Sequence, residues 1–344
     1  MTEINIDFEK LAKTPRLLIE AELKPIQGER FQPTGFPDLG AAVYERPDGK
    51  RMILVESAQS VANRLEATIL DESGIGIANE FTGIPYICVN LEGQIDGGDY
   101  STRTTSLIEA HRINSPFIIS NEDFKNGFKN RANYEKGKPL DWKKIAAAFL
   151  YYDPNSLIHG AFMANLEDGR VKVQRALTGF IEAEGINEVA SGGVKNNPLD
   201  PTGKIRAENY DKDVYGNVPY HRMEYTADRI VAYFNFDISL LEGYGLPNEA
   251  KELLIALGLY KVRKLLNQGL RLRTACDFVV MDDIRVTNPD GFVIPVEDSL
   301  LKIVQEKIQA CASKGLFAQP AVTELKAEVK KKDKKSKDEE DETN

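Results

Sequence analysis

The sequence has few residues of the kinds that usually build catalytic or metal centres. Its 344 residues include three histidines, three cysteines and one tryptophan. No Gly-x-Ser-x-Gly, Walker A loop, His-Glu-x-x-His or Gly-x-Gly-x-x-Gly after a strand occurs, so the common hydrolase, P-loop, zincin and dinucleotide-binding signatures are missing. That lowers the expectation of an enzyme without excluding one, because triads assemble from distant residues. Cys88, Cys276 and Cys311 are odd in number and widely spaced. They read as small buried hydrophobes in a reducing compartment, with no disulfide frame and no zinc site. No apolar run approaches the ~20 residues of a membrane span. The N-terminus is acidic and lacks the pattern of a secretory signal. A cytoplasmic location is expected, with no membrane partner.

What is present suits a globular chain: 42% of residues are hydrophobic and 28% charged. The length allows about two domains, or one with large insertions. The net charge of −9 argues against a nonspecific polyanion binder, though a local basic groove remains compatible with it.

One stretch, residues 27–70, organises the chain. A Gly/Pro loop, Gln27-Gly-Glu-Arg-Phe-Gln-Pro-Thr-Gly-Phe-Pro-Asp-Leu-Gly40, is followed by Glu56-Ser-Ala-Gln-Ser-Val-Ala-Asn-Arg-Leu-Glu66. Ala58, Val61, Ala62, Leu65 and Ile69 recur at helical spacing and form one buried stripe. Gln59 and Asn63, and Ser60 and Arg64, stand one turn apart on the other side. Ser57 is the expected N-cap. Such a helix start can hold a phosphate. From pattern alone, a polar helix face is more often a plain solvated surface.

Around this stretch the pattern is strand, helix and strand. Residues 16–24 alternate, with Leu17, Ile19, Ala21 and Leu23 on one face, and Pro25 ends the run. Residues 51–55 and 85–91 are further strands, consistent with a split β-α-β unit. Residues 92–106 read as a long loop. Its Asp96 and Asp99 form the only candidate metal pair, with no supporting ligand at a useful spacing. A short helix runs from Trp142 to Leu150, capped by Asp141. A hairpin follows over 161–182, turning at Asp168-Gly169. His159, before Gly160, serves as readily for a structural hydrogen bond as for a contact.

From Ser191 to Arg222 apolar periodicity stops, while basic residues and tyrosines interleave. That composition suits either single-stranded nucleic acid or a plain mobile hairpin. Residues 224–240 read as one core strand. Pro247 starts a helix that runs to Gln268 and stops at Gly269. Arg271 and Arg273 share a face if 270–280 is extended, available for phosphate or for ion pairs with nearby acids. Val296–Ser313 forms a last amphipathic helix. From Lys326, seven Lys and seven Asp plus Glu with no aromatic residue imply disorder.

The loop and helix of 27–66 resemble the type I-U (I-G) branch of CRISPR Cascade backbone subunits, in the RAMP superfamily. Residues 153–162, 175–183 and 270–280 are similar to the same branch. The resemblance implies an α+β, RRM-like or ferredoxin-like palm, an antiparallel sheet covered by helices. It implies one domain over 1–325, a finger insertion at about 92–140, a thumb hairpin at about 191–222, and a charged tail over 326–344. The protein would polymerise along CRISPR guide RNA, with target DNA pairing through the guide and with other Cascade subunits and copies of itself as partners. No bond is made or broken in that role, and no cofactor or metal is required. Side-chain type and motif position nominate Gln27, Arg30, Phe31 and Gln32 in the loop, and Ser57, Gln59, Ser60, Asn63 and Arg64 at the helix start. Arg103, His111 and Arg112 would line the groove, Lys195, Lys204, Arg206, Tyr215 and His221 the thumb, and Arg271 and Arg273 the remaining phosphate contacts. The alternative is a metal-dependent RNA nuclease of the same superfamily, using Asp96 or Asp99.

Overall fold

The computed structural model describes residues 5–36, 38–95, 98–205 and 216–330. Within them an eight-stranded antiparallel sheet carries the chain. Its central strand β1 (Arg16–Pro25) alternates as expected, with Leu17, Ile19, Ala21 and Leu23 buried. The other strands are β2 (Val43–Glu45), β3 (Arg51–Glu56), β6 (Leu177–Glu184), β9 (Arg229–Asp237), β10 (Leu270–Arg273), β11 (Cys276–Val280) and β12 (Arg285–Asn288). They lie in the order β10-β11-β1-β9-β6-β3-β2, and β12 pairs with β1. The β1–β9 register sets Leu17 against Phe236, Ile19 against Phe234 and Leu23 against Ile230. These cross-strand pairs fix the register, because a one-residue slip would turn every apolar side chain to the other face.

Two helices connect the inner strands. Helix α1 (Ala58–Ala67) begins at Ser57, whose hydroxyl accepts from the amide of Ser60 at 3.3 Å. Helix α2 (Asn248–Asn267) is buried without interruption from Leu253 to Arg263 and so has no polar face along that stretch. Both approach the sheet through glycines. A Cβ at Gly258 of α2 would come within 2.4 Å of the Phe236 ring. One at Gly179 of β6 would meet Phe234 at 2.6 Å and Val61 of α1 at 3.0 Å. Helix α3 (Glu297–Ser313) packs on α2.

Two smaller sheets are appended. Strand β4 (Tyr86–Ile95) pairs antiparallel with β5 (Gly98–Thr105) and parallel with β13 (Val322–Lys330). Strands β7 (Asn187–Lys195) and β8 (Val218–Thr226) form a separate two-stranded hairpin.

Several sequence-based expectations change. The loop of 92–106 is largely the β4–β5 hairpin; its strands are too polar and hydroxyl-rich to announce themselves by apolar alternation. Residues 326–330 continue β13 instead of starting a disordered tail, and residues 331–344 lie outside the described set. Residues 224–240 are not one strand. They pass from β8 into β9 at Ala227–Asp228, and a short helix (Ile238–Gly243) begins at Asp237, whose carboxylate caps Leu240 N at 2.8 Å. The hairpin of 161–182 shrinks to Ala161–Phe162 against Lys172–Val173, and β6 goes to the main sheet instead. Residues 270–280 fold into two strands, turning at Ala275 with φ of 55°. The helix at Trp142–Tyr152 stands as expected, with Asp141 accepting from Lys144 N at 3.1 Å. Among the described residues no helix is long and apolar enough to cross a membrane.

Candidate nucleic-acid interface

Glu56, the last residue of β3, points inward and is fully buried. An ionised carboxylate there requires compensating donors, since an isolated buried charge is very costly. Three side chains supply them. Ser60 of α1 donates to Oε1, Arg64 Nε reaches the same oxygen at 3.0 Å, and Arg273 of β10 pairs with Oε2. The two guanidiniums also bind backbone. Arg64 Nη2 donates to Leu272 O at 2.6 Å, while Arg273 Nη1 donates to Gln32 O at 3.0 Å and Val55 O at 3.1 Å. One carboxylate thus ties α1, β3, β10 and the first loop together. Two arginines against one glutamate leave the cluster a net cation.

A second buried glutamate repeats the device on the hairpin. Glu224 of β8 pairs with Arg222 Nη2 at 2.6 Å and with Arg30 Nη1 of the first loop at 3.4 Å. Among the described residues neither arginine bonds a carbonyl. Arg222 and Glu224 are two apart on one strand and therefore share a face.

Between the two clusters lies an open groove of about 890 Å³. It is lined by Gln32 and Thr34 of the first loop, His221, Arg222 and Tyr225 of β8, and Arg273. A smaller depression of about 340 Å³ continues past Gln27, Arg30, Arg222 and Glu224. The β7–β8 hairpin beside it exposes Val194, Val218, Tyr220 and Met223, each at least 43% accessible. Large apolar side chains held out on a two-stranded ribbon, next to anchored guanidiniums, can receive flat rings and phosphates together.

The nominated residues divide accordingly. Gln32, His221 and Arg273 line the groove, and Gln27 and Arg30 its continuation. Ser57 caps α1; Ser60 and Arg64 serve Glu56. Gln59 Nε2 donates to Asn63 Oδ1 at 2.8 Å, both exposed on α1. Arg271 is exposed and on the same face of β10 as Arg273. Lys195 and Lys204 are exposed on the hairpin side. Arg206, Tyr215 and Asp96 lie outside the described residues.

Phe31, nominated as an RNA contact of the first loop, is a core residue instead. Its ring is fully buried edge-on to Phe278, centroids 5.7 Å apart, and its backbone exchanges two 2.9 Å hydrogen bonds with Tyr225. Arg112 is likewise spent: it binds Glu66 bidentately, at 2.6 and 2.8 Å, and donates to Gly160 O at 3.0 Å. Arg103 sits on β5 with Glu324 at 3.0 Å and Cys88 Sγ at 3.1 Å, on the small sheet and away from the groove lining. Asp99, on the same strand, is exposed and accepts from Gln94 Nε2 at 3.4 Å.

Sequence reasoning did not nominate Glu56 or Glu224, nor Arg222 by itself although it ends the basic stretch singled out above, nor Arg175, which lies beside α1 and outside the groove lining. Arg175 is half-buried and donates to Gln59 Oε1 at 2.8 Å, which joins it to the exposed face of α1. The i, i+2 spacing of Arg222 and Glu224 was a usable signal. For Glu56 the signal was an acid placed directly before the helix cap at the end of an apolar strand.

The fold class is therefore α+β and the groove is cationic. The chain belongs to the family described as CRISPR-associated protein GSU0053 (Cas_GSU0053), whose model matches residues 17–188, half of the chain. The match spans β1, the first loop, Glu56 and α1. No curated protein matches the sequence. Among solved structures, the chain is similar to a chain of a CRISPR RNA-guided surveillance complex, pre-nicking, at 14% identity over 86% of this chain and 89% of that one, with a TM-score of 0.40. Another CRISPR RNA-guided surveillance complex chain is 12% identical over 73% and 71%, with a TM-score of 0.30. Csc2 of Thermofilum pendens is 9% identical over 91% and 80%, with a TM-score of 0.31.

Proposed function

We propose that this protein is a backbone subunit of a type I CRISPR interference (Cascade) complex. It polymerises along guide RNA, holds the strand in the groove between Arg273 and Arg222, and leaves bases free to pair with target DNA. Membership of a CRISPR-associated family, read together with that groove, carries the proposal. The role needs no bond chemistry.

The topology supports a palm of the ferredoxin-like kind. In chain order β1, α1, β6, β9, α2 and β11 run strand-helix-strand-strand-helix-strand, and their sheet order places the fourth strand beside the first, then the third, then the second. The finger insertion is then the β4–β5 hairpin with the helices that follow it, and the thumb is β7–β8. The thumb's exposed Val218, Tyr220 and Met223 would enter the base stack, while Arg222 and Arg30, anchored by Glu224, meet the phosphates. Anchoring matters because a guanidinium already ordered loses little rotamer freedom on binding. The acidic net charge is no obstacle, since Glu56 and Glu224 are each outnumbered by guanidiniums on the groove side. Copies of the chain would follow one another along the guide through a heterologous, non-closing contact, which is what a filament requires.

The test is co-expression with a repeat–spacer RNA, followed by nuclease treatment and sizing of the RNA retained by the purified particle. Protected RNA of discrete length in a large particle is expected. A nucleic-acid-free monomer that persists when partner subunits are supplied would overturn the proposal.

A further inference from the structure

A second basic cavity lies apart from the groove. Its volume is about 790 Å³, and its lining includes His111, Arg112, His159, Lys172 and Arg175 but no carboxylate. Glu66, behind Arg112, is the nearest acid bonded to any of these side chains, and its two oxygens are taken by that arginine. Arg175 bonds only neutral acceptors: His159 O at 3.3 Å, Ala58 O at 3.4 Å and Gln59 Oε1. Lys172 is exposed, with Nζ 5.8 Å from the ring centre of half-exposed Phe162, also at the cavity wall.

One buried atom indicates what the cavity takes. His159 is 1% exposed and its Nδ1 has no hydrogen-bond partner. Its Nε2 lies 2.8 Å from Nζ of the buried Lys261. Below about pH 7, where Lys261 carries its proton and its ammonium can only donate, Nε2 accepts, and the single proton of the neutral imidazole sits on Nδ1. Burial, with Lys261, Arg112 and Arg175 around the ring, pushes this histidine well below its ordinary range and keeps it neutral. A buried N–H without an acceptor costs free energy that an incoming oxygen anion would recover.

We infer that this cavity is a phosphate-binding site for a nucleotide, with His159 Nδ1, Arg175 and Lys172 donating to the phosphate and Phe162 offering its face to the base. The three cation-bearing walls, the missing carboxylate and the orphaned donor select an anion; the aromatic wall beside them selects a nucleotide over a bare ion. The inference stands on these residues and does not depend on the guide-RNA reading of the groove.

The chain's three histidines report on both places: His111 and His159 line this cavity and His221 lines the groove. The full chain labelled with ¹⁵N-histidine would be titrated with inorganic phosphate, with uridine 5′-monophosphate and with a short oligouridylate, following the imidazole nitrogens. The expected result is a shift of His159 Nδ1 with both phosphate and the mononucleotide, at lower concentration for the latter. Lys172→Ala should weaken it roughly tenfold, the loss of one charge-assisted hydrogen bond. A His159 response to the oligouridylate alone would identify the occupant as a phosphate within a strand and still support the site. His221 moving while His159 stays fixed under all three probes would overturn the inference and leave the groove proposal standing. An unchanged affinity in Lys172→Ala would remove that lysine, and with it the phosphate geometry, from the inference.

Discussion

Glu56 and Glu224 are chemically the same arrangement, a buried carboxylate holding two arginines, yet they do different things. The guanidiniums on Glu56 continue into backbone carbonyls of the first loop, β3 and β10, and so fasten α1 and the first loop to two strands of the main sheet. Those on Glu224 make no such bonds among the described residues, and Arg30 remains more than half exposed. The first cluster spends most of its donors on the fold, and the second keeps most of its donors for a ligand. An arginine near a groove is therefore not by itself a binding residue: what it already bonds decides how much it has left to offer.

The sharpest way to break this contrast is Glu56→Ala. It would leave Arg64 and Arg273 facing each other without their counter-charge, and unfolding by urea should show a loss of about 3–5 kcal/mol. Glu224→Ala should cost on the order of 1 kcal/mol, because Arg222 and Arg30 can turn to water. Equal losses in the two variants would dissolve the distinction.

The next effect is on binding. Arg222→Ala should weaken single-stranded RNA binding roughly tenfold and reduce the salt slope by about 1, with little change in the unfolding midpoint. Arg112→Ala should do the reverse, lowering the midpoint while leaving the salt slope alone, because its donors are committed to Glu66 and Gly160. An unaltered salt slope in Arg222→Ala would remove the hairpin from the phosphate contacts.

A third buried charge extends the comparison to a cation with no touching carboxylate. Lys261 Nζ bonds Asn155 Oδ1 at 2.7 Å and His159, and burial pulls its pKa down to about 7. The unfolded chain therefore holds more protons than the folded one between about pH 7 and the ordinary lysine value, and stability should rise with pH across that window. Asp153, also fully buried, is pushed up to about 6. Between its ordinary value and about pH 6 the folded chain holds the extra proton, so its contribution to stability falls as pH rises there. Urea midpoints measured against pH should show both limbs. Lys261→Met should flatten the upper one and keep the lower. A rise above pH 7 that survives the substitution would assign it to another group.

The smallest expected effect is that of Arg103→Ala, on an exposed ion pair of the small sheet. RNA affinity and unfolding midpoint should both stay at the wild-type values. A loss of RNA binding would extend the interface onto β5 and widen the groove's definition.

Much of the sheet was legible in the sequence. Strict alternation over 16–24, the Ser57 and Asp141 caps, and Pro247 ahead of the longest helix are local signals, and each element appeared where its pattern placed it; the alternation read over 230–240 outran its strand, which ends at Asp237. The elements that were misread lack a strong apolar pattern of their own or take it from a partner elsewhere in the chain. Residues 85–91 were read as a strand and stand as the start of β4; what was missed is its polar continuation to Ile95, the polar β5 beside it, and β13, whose partner β4 lies more than 200 residues away. Residues 324–330 do alternate, with Leu325, Ala327 and Val329 on one face and Glu324, Lys326, Glu328 and Lys330 on the other, but the short run merges into the Lys/Glu composition that follows, and pairing with β4 is what makes it a strand.

The candidate site shows the same division. Side-chain type and position were enough to nominate the first loop, the start of α1, the hairpin and β10, and the structure brings Gln32, His221 and Arg273 to one groove. Those same criteria could not distinguish Arg112 from Arg222, or foresee Phe31 packed against Phe278. Sequence fixes which groups exist and which face of their own element they occupy. Whether a guanidinium is free depends on the carboxylate or carbonyl that another segment delivers to it, and only the tertiary structure decides that, because burial turns a nearby acid into a permanent partner.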